Sequence, residues 1–270
     1  MDWTLAWQAV VMGVVEGITE FLPISSTGHL ILTAAWLDFW TEAKRGVFEV
    51  AIQLGAILSV CYQYRERLWG VVTQLSQSGS QRFVLNVLVA FMPVALLGFF
   101  FLSTLKQYFF NPTSVAIALI VGGIVILLAE RRHTPVRVET VDDMRWQDAL
   151  KIGFAQCLAL IPGTSRSGAT IIGGLLFGMS RTAAAEFSFF LAIPTMFAAT
   201  LYDSYKHREL FALADLPIFA IGFVVSFLVA LLVIRALMRF ISQHDFTVFA
   251  WYRIVFGAAI LLGLGGSAWA

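Results

Sequence analysis

Glu16-Gly-Ile-Thr-Glu20-Phe-Leu-Pro23-Ile-Ser-Ser-Thr-Gly-His29 sets two carboxylates, a run of hydroxyls, a proline and a histidine inside an otherwise apolar stretch, residues 4–37. A second stretch, Pro162-Gly-Thr-Ser-Arg-Ser-Gly-Ala-Thr170, breaks the apolar residues 148–180 in the same manner. The surrounding chain is oily: 270 residues, 59% hydrophobic and 13% charged, with a mean hydropathy of +0.81. Such a composition belongs to an all-α polytopic membrane protein. Charge at bilayer depth is costly and marks a functional cavity.

Apolar runs long enough to span, about 20 residues each, fall near 47–64, 84–103, 113–130, 185–202, 216–238 and 248–268. They leave no room for a soluble domain. The net charge of +1 identifies no partner, and no basic patch suited to nucleic acid occurs. The opening residues Met1-Asp-Trp-Thr-Leu-Ala-Trp-Gln8 lack the basic n-region of a cleavable signal, so the first segment is expected to be retained. Cys61 and Cys157 sit in apolar segments without metal-ligand spacing and read as packing residues.

Irregular backbone is tolerated at membrane depth only where protein buries it or water reaches it. Residues 4–37 and 148–180 therefore read as re-entrant helical hairpins with their polar loops at the tips, beside six true spans. The halves echo each other. A shift of 140 pairs Gly13 with Gly153, Ser25 with Ser165, Thr27 with Ser167 and Gly28 with Gly168, and a shift of 137 pairs Glu49 with Glu186 and Leu54 with Leu191. The expected organisation is one membrane domain of two inverted-topology repeats, 4–130 and 148–268, joined by a linker at 131–147.

Loop charge supports this topology. One side carries Arg65, Arg67, Arg82, Arg131, Arg132, Arg137, Arg145, Lys151, Arg181, Arg235, Arg239 and Arg253, the other Lys44, Arg45, Lys106, Lys206 and Arg208. Twelve against five puts the first side in the cytoplasm by the positive-inside rule, with both termini outside. The first hairpin then enters from outside and the second from the cytoplasm, a layout associated with transporters. Trp3, Trp7, Trp36 and Trp40 fit an outer interfacial belt.

Glu16 and Glu20, four apart, share one helix face. They read either as hard oxygen ligands for Mg²⁺ or Ca²⁺ or as a pair of buried hydrogen-bond acceptors. His29 follows Ser25, Ser26, Thr27 and Gly28 at the tip, where it is either a packing group or a general acid or base. Arg166, between Ser165 and Ser167 and ahead of Gly168 and Thr170, needs an anionic partner. Its fork suits phosphate oxygens, with backbone amides of the following half-helix adding donors. The alternative is an ion pair with Glu16, Glu20 or Glu186. The hydroxyls of Ser25, Ser26, Ser165 and Thr170 either donate to an oxyanion or let helices approach closely. Glu49, Gln53 and Glu186 read as supports for these groups.

At these residues the chain resembles the bacterial undecaprenyl-diphosphate phosphatase family, membrane enzymes associated with bacitracin resistance. The resemblance rests on Glu16-x-x-x-Glu20 with Ser26 and His29, and on Pro162-Gly-x-Ser-Arg-Ser-x-x-Thr170, and runs from about residue 5 to the C-terminus. It implies hydrolysis of a long-chain polyprenyl diphosphate to the monophosphate and inorganic phosphate, recycling the lipid carrier of cell-wall synthesis. It also implies a divalent-cation requirement, a site open to the periplasm and residence in the bacterial inner membrane, and it leaves room for a homo-oligomer. By position, Glu16 and Glu20 would serve the metal and the diphosphate, with Ser26 and His29 at the scissile phosphorus. Arg166, Ser165, Ser167, Gly168, Thr170, Ser25 and Thr27 would line the diphosphate. A polyprenyl-lipid transporter using the polar tips as an ion relay is the rival from another class. The type-2 phosphatidic acid phosphatases fit poorly, because Ser165-Arg166 lacks their following histidine and no Lys-x₆-Arg-Pro run occurs.

Overall fold

The computed structural model describes residues 2–132, 134–206, 209 and 213–264. Eleven α-helices make up the fold among these residues: α1 (Trp3–Thr19), α2 (Ser26–Leu37), α3 (Glu42–Gln63), α4 (Arg65–Thr73), α5 (Ser78–Phe109), α6 (Pro112–Arg131), α7 (Trp146–Cys157), α8 (Arg166–Leu176), α9 (Arg181–Lys206), α10 (Leu216–Ile241) and α11 (Thr247–Ala259). The only β-pairing among them is an isolated bridge between Val138 and Met179. Caps sit where the sequence supplies them. The Asp2 carboxylate accepts from the Thr4 amide at 2.8 Å, and Asn111 accepts from Ser114 ahead of Pro112 in the first turn of α6.

Five of the six expected spans, α3, α5, α6, α9 and α10, are long and apolar enough to cross a bilayer. The sixth is shorter. Its apolar helix ends at Gly263, whose φ of 85° breaks the geometry, and residues 265–268 of the expected span lie outside the described residues. The short helix α4 falls outside the expected spans. It buries none of its residues fully and exposes Trp69 and Val72, while Leu68 and Val71 lean on the core; at nine residues it is too short for a bilayer-length apolar run.

Both broken segments are helix–loop–helix hairpins, α1–α2 and α7–α8, and their senses are opposed. α1 runs alongside α10 in the same direction: a Cβ on Gly13 would lie 2.7 Å from the Gly222 carbonyl, and one on Gly17 2.9 Å from the Ala230 amide. α7 runs with α5 in the same way, with Asn86 donating to the Met144 carbonyl and Gly153 pressed on Ala90. α10 and α5 start from opposite ends of the molecule. Lys44 and Asp215, 2.7 Å apart, mark one end. The other end gathers Arg67 and Arg82 on Asp142, Arg137 beside Asp148, Arg181 on Glu130, and Arg235 on Gln63.

The two ends thus reproduce the division of loop charge, with one correction. Arg253 belongs to neither end. It is 1% exposed, six residues into α11, or about 9 Å along its axis at 1.5 Å per residue. Arg208 lies outside the described residues, as does the side chain of Lys106. Of the expected linker, residues 134–147 form an ordered strap, held by a bidentate Arg67–Asp142 pair and by Arg137 donating to the Phe177 carbonyl. Trp3, Trp7 and Trp36 are exposed as expected of a belt, whereas Trp40 packs among Phe39, Phe48 and Phe219.

Candidate active site

The two tips meet. Ser25 and Ser165, related by the shift of 140, each stand at the N-cap position of their hairpin's second helix with matching φ of 71° and 72°, though only Ser165 caps through its side chain. That left-handed backbone is unusual for a residue with a Cβ and is retained where the surroundings enforce it. It turns the chain so that α2 and α8 both begin at the shared centre, and their first residues are Ser26 and Arg166. Two helix N-termini and a guanidinium therefore converge, which suits an anion.

Glu20 links the tips. Its Oε2 accepts the Ser26 hydroxyl at 2.6 Å and its Oε1 accepts from Arg166 at 3.2 Å. The other guanidinium nitrogen of Arg166 donates to the Ser188 carbonyl at 2.9 Å. The ion-pair alternative for Arg166 is thus realised with Glu20. Glu186 stands elsewhere, near Tyr64, Arg67 and Asp142.

Glu16, one turn before Glu20, is fully buried, and neither carboxylate oxygen has a hydrogen-bond partner. Glu20, Glu49 and Arg166 are the charges that face it. A buried carboxylate without partners is costly unless something else satisfies it. Among the described residues no three His, Cys, Asp or Glu side chains surround one point. The donor set still fits a hard cation, because Mg²⁺ is commonly held by one or two carboxylates, with waters and substrate phosphates completing its shell.

The remaining residues divide by what they touch. Ser167 donates to the Leu22 carbonyl at 2.8 Å and stitches one tip to the other. Ser165 accepts the Gly168 amide and lies 3.1 Å from the Ser167 hydroxyl. The Thr170 hydroxyl is buried against the Ser188 hydroxyl at 2.7 Å and the Arg166 carbonyl at 2.9 Å. Gly168 leaves space for Arg253, whose guanidinium a Cβ there would approach to 3.1 Å. Ser25 offers His29 its carbonyl, and Thr27 is half-buried at the start of α2.

His29 is tied at both ring nitrogens. Its Nδ1–H donates to the Ser25 carbonyl at 2.7 Å, and its Nε2 lies 2.5 Å from the Tyr252 hydroxyl. The ring stacks on Phe256 with centroids 4.3 Å apart. The imidazole thus turns toward α11, while the Ser26 hydroxyl turns toward Glu20. Sequence reasoning does not find Tyr252, Ser188 or the role of Arg253. The first two carry no signal in an apolar run. A lone arginine in such a run does carry one, but it reads equally well as a loop charge.

The family model for bacitracin resistance protein BacA matches residues 9–259. A protein of Nitrosomonas europaea named undecaprenyl-diphosphatase is 62% identical over 97% of this chain and 96% of its own length. One of Rhodospirillum rubrum, undecaprenyl-diphosphatase 2, is 62% identical over the same shares. One of Laribacter hongkongensis, also an undecaprenyl-diphosphatase, is 58% identical over all of this chain and 97% of its own. With similarity at this level over nearly its whole length, the chain belongs to the bacitracin resistance protein BacA family.

Proposed function

We propose that the chain hydrolyses undecaprenyl diphosphate to undecaprenyl phosphate and inorganic phosphate, recycling the lipid carrier of cell-wall synthesis. The observation that carries this reading is the Ser26–Glu20–Arg166 chain of contacts at two converging helix N-termini. A hydroxyl donating to a carboxylate is the arrangement of an activated nucleophile and its base, and an arginine fork beside it suits phosphate oxygens. The names of the relatives point the same way.

In this mechanism the head group draws Arg166 from Glu20 onto its terminal phosphate. The Ser26 oxygen attacks that phosphorus as Glu20 takes its proton. The bond from phosphorus to the bridging oxygen breaks, and undecaprenyl phosphate leaves with the proton that Glu20 passes to that oxygen. Water then attacks the phosphoserine as Glu20 takes its proton; the bond from phosphorus to the Ser26 oxygen breaks, inorganic phosphate leaves, and Glu20 returns the proton to that oxygen. Ser165, Ser167, Gly168 and Thr170 hold the Arg166 tip in shape, as Ser25 and Thr27 do around Ser26, while His29 ties that turn to Tyr252. Glu16 and Glu20 would hold a divalent cation, Mg²⁺ or Ca²⁺, which when bound supplies charge neutralisation at the diphosphate.

The isoprenoid tail stays in lipid while the head group enters between the tips. We read the halves as inverted repeats, 4–130 and 148–268, in the bacterial inner membrane, with termini and site reached from the periplasm. A cysteine at Arg137 is then labelled from the cytoplasm and one at Lys206 from outside; the reverse pattern inverts the assignment. Opposed hairpins also suit a transporter. Phosphate release separates the two readings. Purified protein should release phosphate from undecaprenyl diphosphate with Mg²⁺ or Ca²⁺, lose this in EDTA, and lose it in Ser26→Ala. No release from a folded sample refutes the phosphatase.

A further inference from the structure

Arg253 is a buried cation whose five N–H groups all end on backbone carbonyls. Nε donates to Leu119 at 3.2 Å. One terminal nitrogen donates to Pro23 and Thr164, both at 3.0 Å, and the other to Ala118 and Gly163, both at 3.1 Å. Pro23 belongs to the first tip, Gly163 and Thr164 to the second, and Ala118 and Leu119 to α6. No carboxylate among the described residues lies within ion-pair distance of it. Burying an arginine without a counter-ion is expensive, and the residue is tolerated here because carbonyl dipoles satisfy every donor. The backbone has made room for it. A Cβ on Gly122 would overlap the guanidinium, and Gly163 holds a φ of 91° against the Val115 carbonyl.

We propose that Arg253 is the positioning residue of this site: it clamps both hairpin tips to α6 in the register that brings Ser26, Glu20 and Arg166 together. The inference rests on the phosphatase reading for its kinetic consequence, though not for the clamp itself. Pro23 lies three residues before Ser26, and Gly163 and Thr164 lie three and two before Arg166. Releasing their carbonyls therefore frees both active turns at once. With every N–H committed, Arg253 has no donor left for a substrate, so its loss acts on turnover more than on binding.

The test compares wild type, Arg253→Lys and Arg253→Gln in detergent. Phosphate release gives kcat and KM, thermal unfolding reports the fold, and hydrogen exchange is followed at 22–25 and 161–165 with α10 as internal reference. A lysine keeps the charge and reaches at most three carbonyls. The expected result is a kcat at least about tenfold lower in Arg253→Lys, KM changed by less than about threefold, and faster exchange at both tips together with α10 unchanged. Arg253→Gln should be worse on each count. If it fails to fold, Arg253→Lys alone decides between the outcomes. A kcat within about threefold of wild type in folded Arg253→Lys, or faster exchange at only one tip or neither, overturns the proposal. If wild type itself releases no phosphate, the phosphatase reading fails, and the exchange data alone decide the clamp.

Discussion

Ser26 and Glu20 should act as one unit, and a double-mutant cycle measures this. The Ser26 hydroxyl donates to Glu20 across 2.6 Å. Ser26→Ala removes the attacking oxygen, which should cost about 10⁴-fold in kcat or more, or about 5.5 kcal/mol. Glu20→Gln keeps the shape but gives up the proton acceptor, and loss of a general base is worth about 10²–10⁴-fold. Independent roles would make the double variant slower by the product, about 10⁶-fold or beyond. Roles in series make it no slower than Ser26→Ala alone, within about threefold. Phosphate release from undecaprenyl diphosphate under single-turnover conditions is the assay, with unfolding curves run on each variant. Glu20→Gln also weakens the partner of Arg166, a loss of about 1–3 kcal/mol of stability that the unfolding data separate from chemistry. Multiplicative losses would refute the series mechanism. So would Ser26→Ala retaining more than about a tenth of wild-type kcat, which would hand the attack to water.

Three further outcomes follow from the geometry. Arg166→Lys should lower kcat/KM by about 10²–10³-fold, since an ammonium cannot span Glu20 and Ser188 or fork onto phosphate; near-normal turnover would remove Arg166 from the phosphate. Glu16→Gln should raise the thermal midpoint in EDTA, because it replaces a buried ionisable carboxyl whose oxygens have no partners, and should also raise the cation concentration needed for activity. An unchanged cation dependence would take Glu16 out of the ligand set. The Asp142 carboxyl is held below the ordinary aspartate range by its hydrogen bonds from Arg67. A depressed acid lends stability above its unfolded pKa and loses it as pH falls through the folded value. The strap 134–145 should therefore resist protease at neutral pH and open once pH drops below the ordinary aspartate range. Asp142→Asn should be open at both; pH-independent cleavage in wild type would refute the clasp.

Much of the fold was legible because bilayer physics acts on local sequence. The spans α5, α6 and α10 are apolar runs, and Pro23 and Pro162-Gly163 mark the places where such runs must break. Even the opposed senses of the hairpins follow from loop charge, since Arg67, Arg82, Arg137 and Arg181 gather at one end and Lys44 at the other. The error over Arg253 has the same origin. A sequence rule sees a charge near the edge of an apolar run and cannot see five carbonyls waiting in other segments.

What the sequence determined by itself was an all-α membrane protein with two polar tips, and the residues from which its site is made. Only the tertiary structure decided the pairings: Arg166 with Glu20 across 146 positions, Arg253 with Pro23 across 230, and His29 with Tyr252 across 223. Hydropathy and helical period are properties of neighbours along the chain. The choice of which donor meets which acceptor is made when buried polar groups, cut off from water, must find partners wherever packing has brought them.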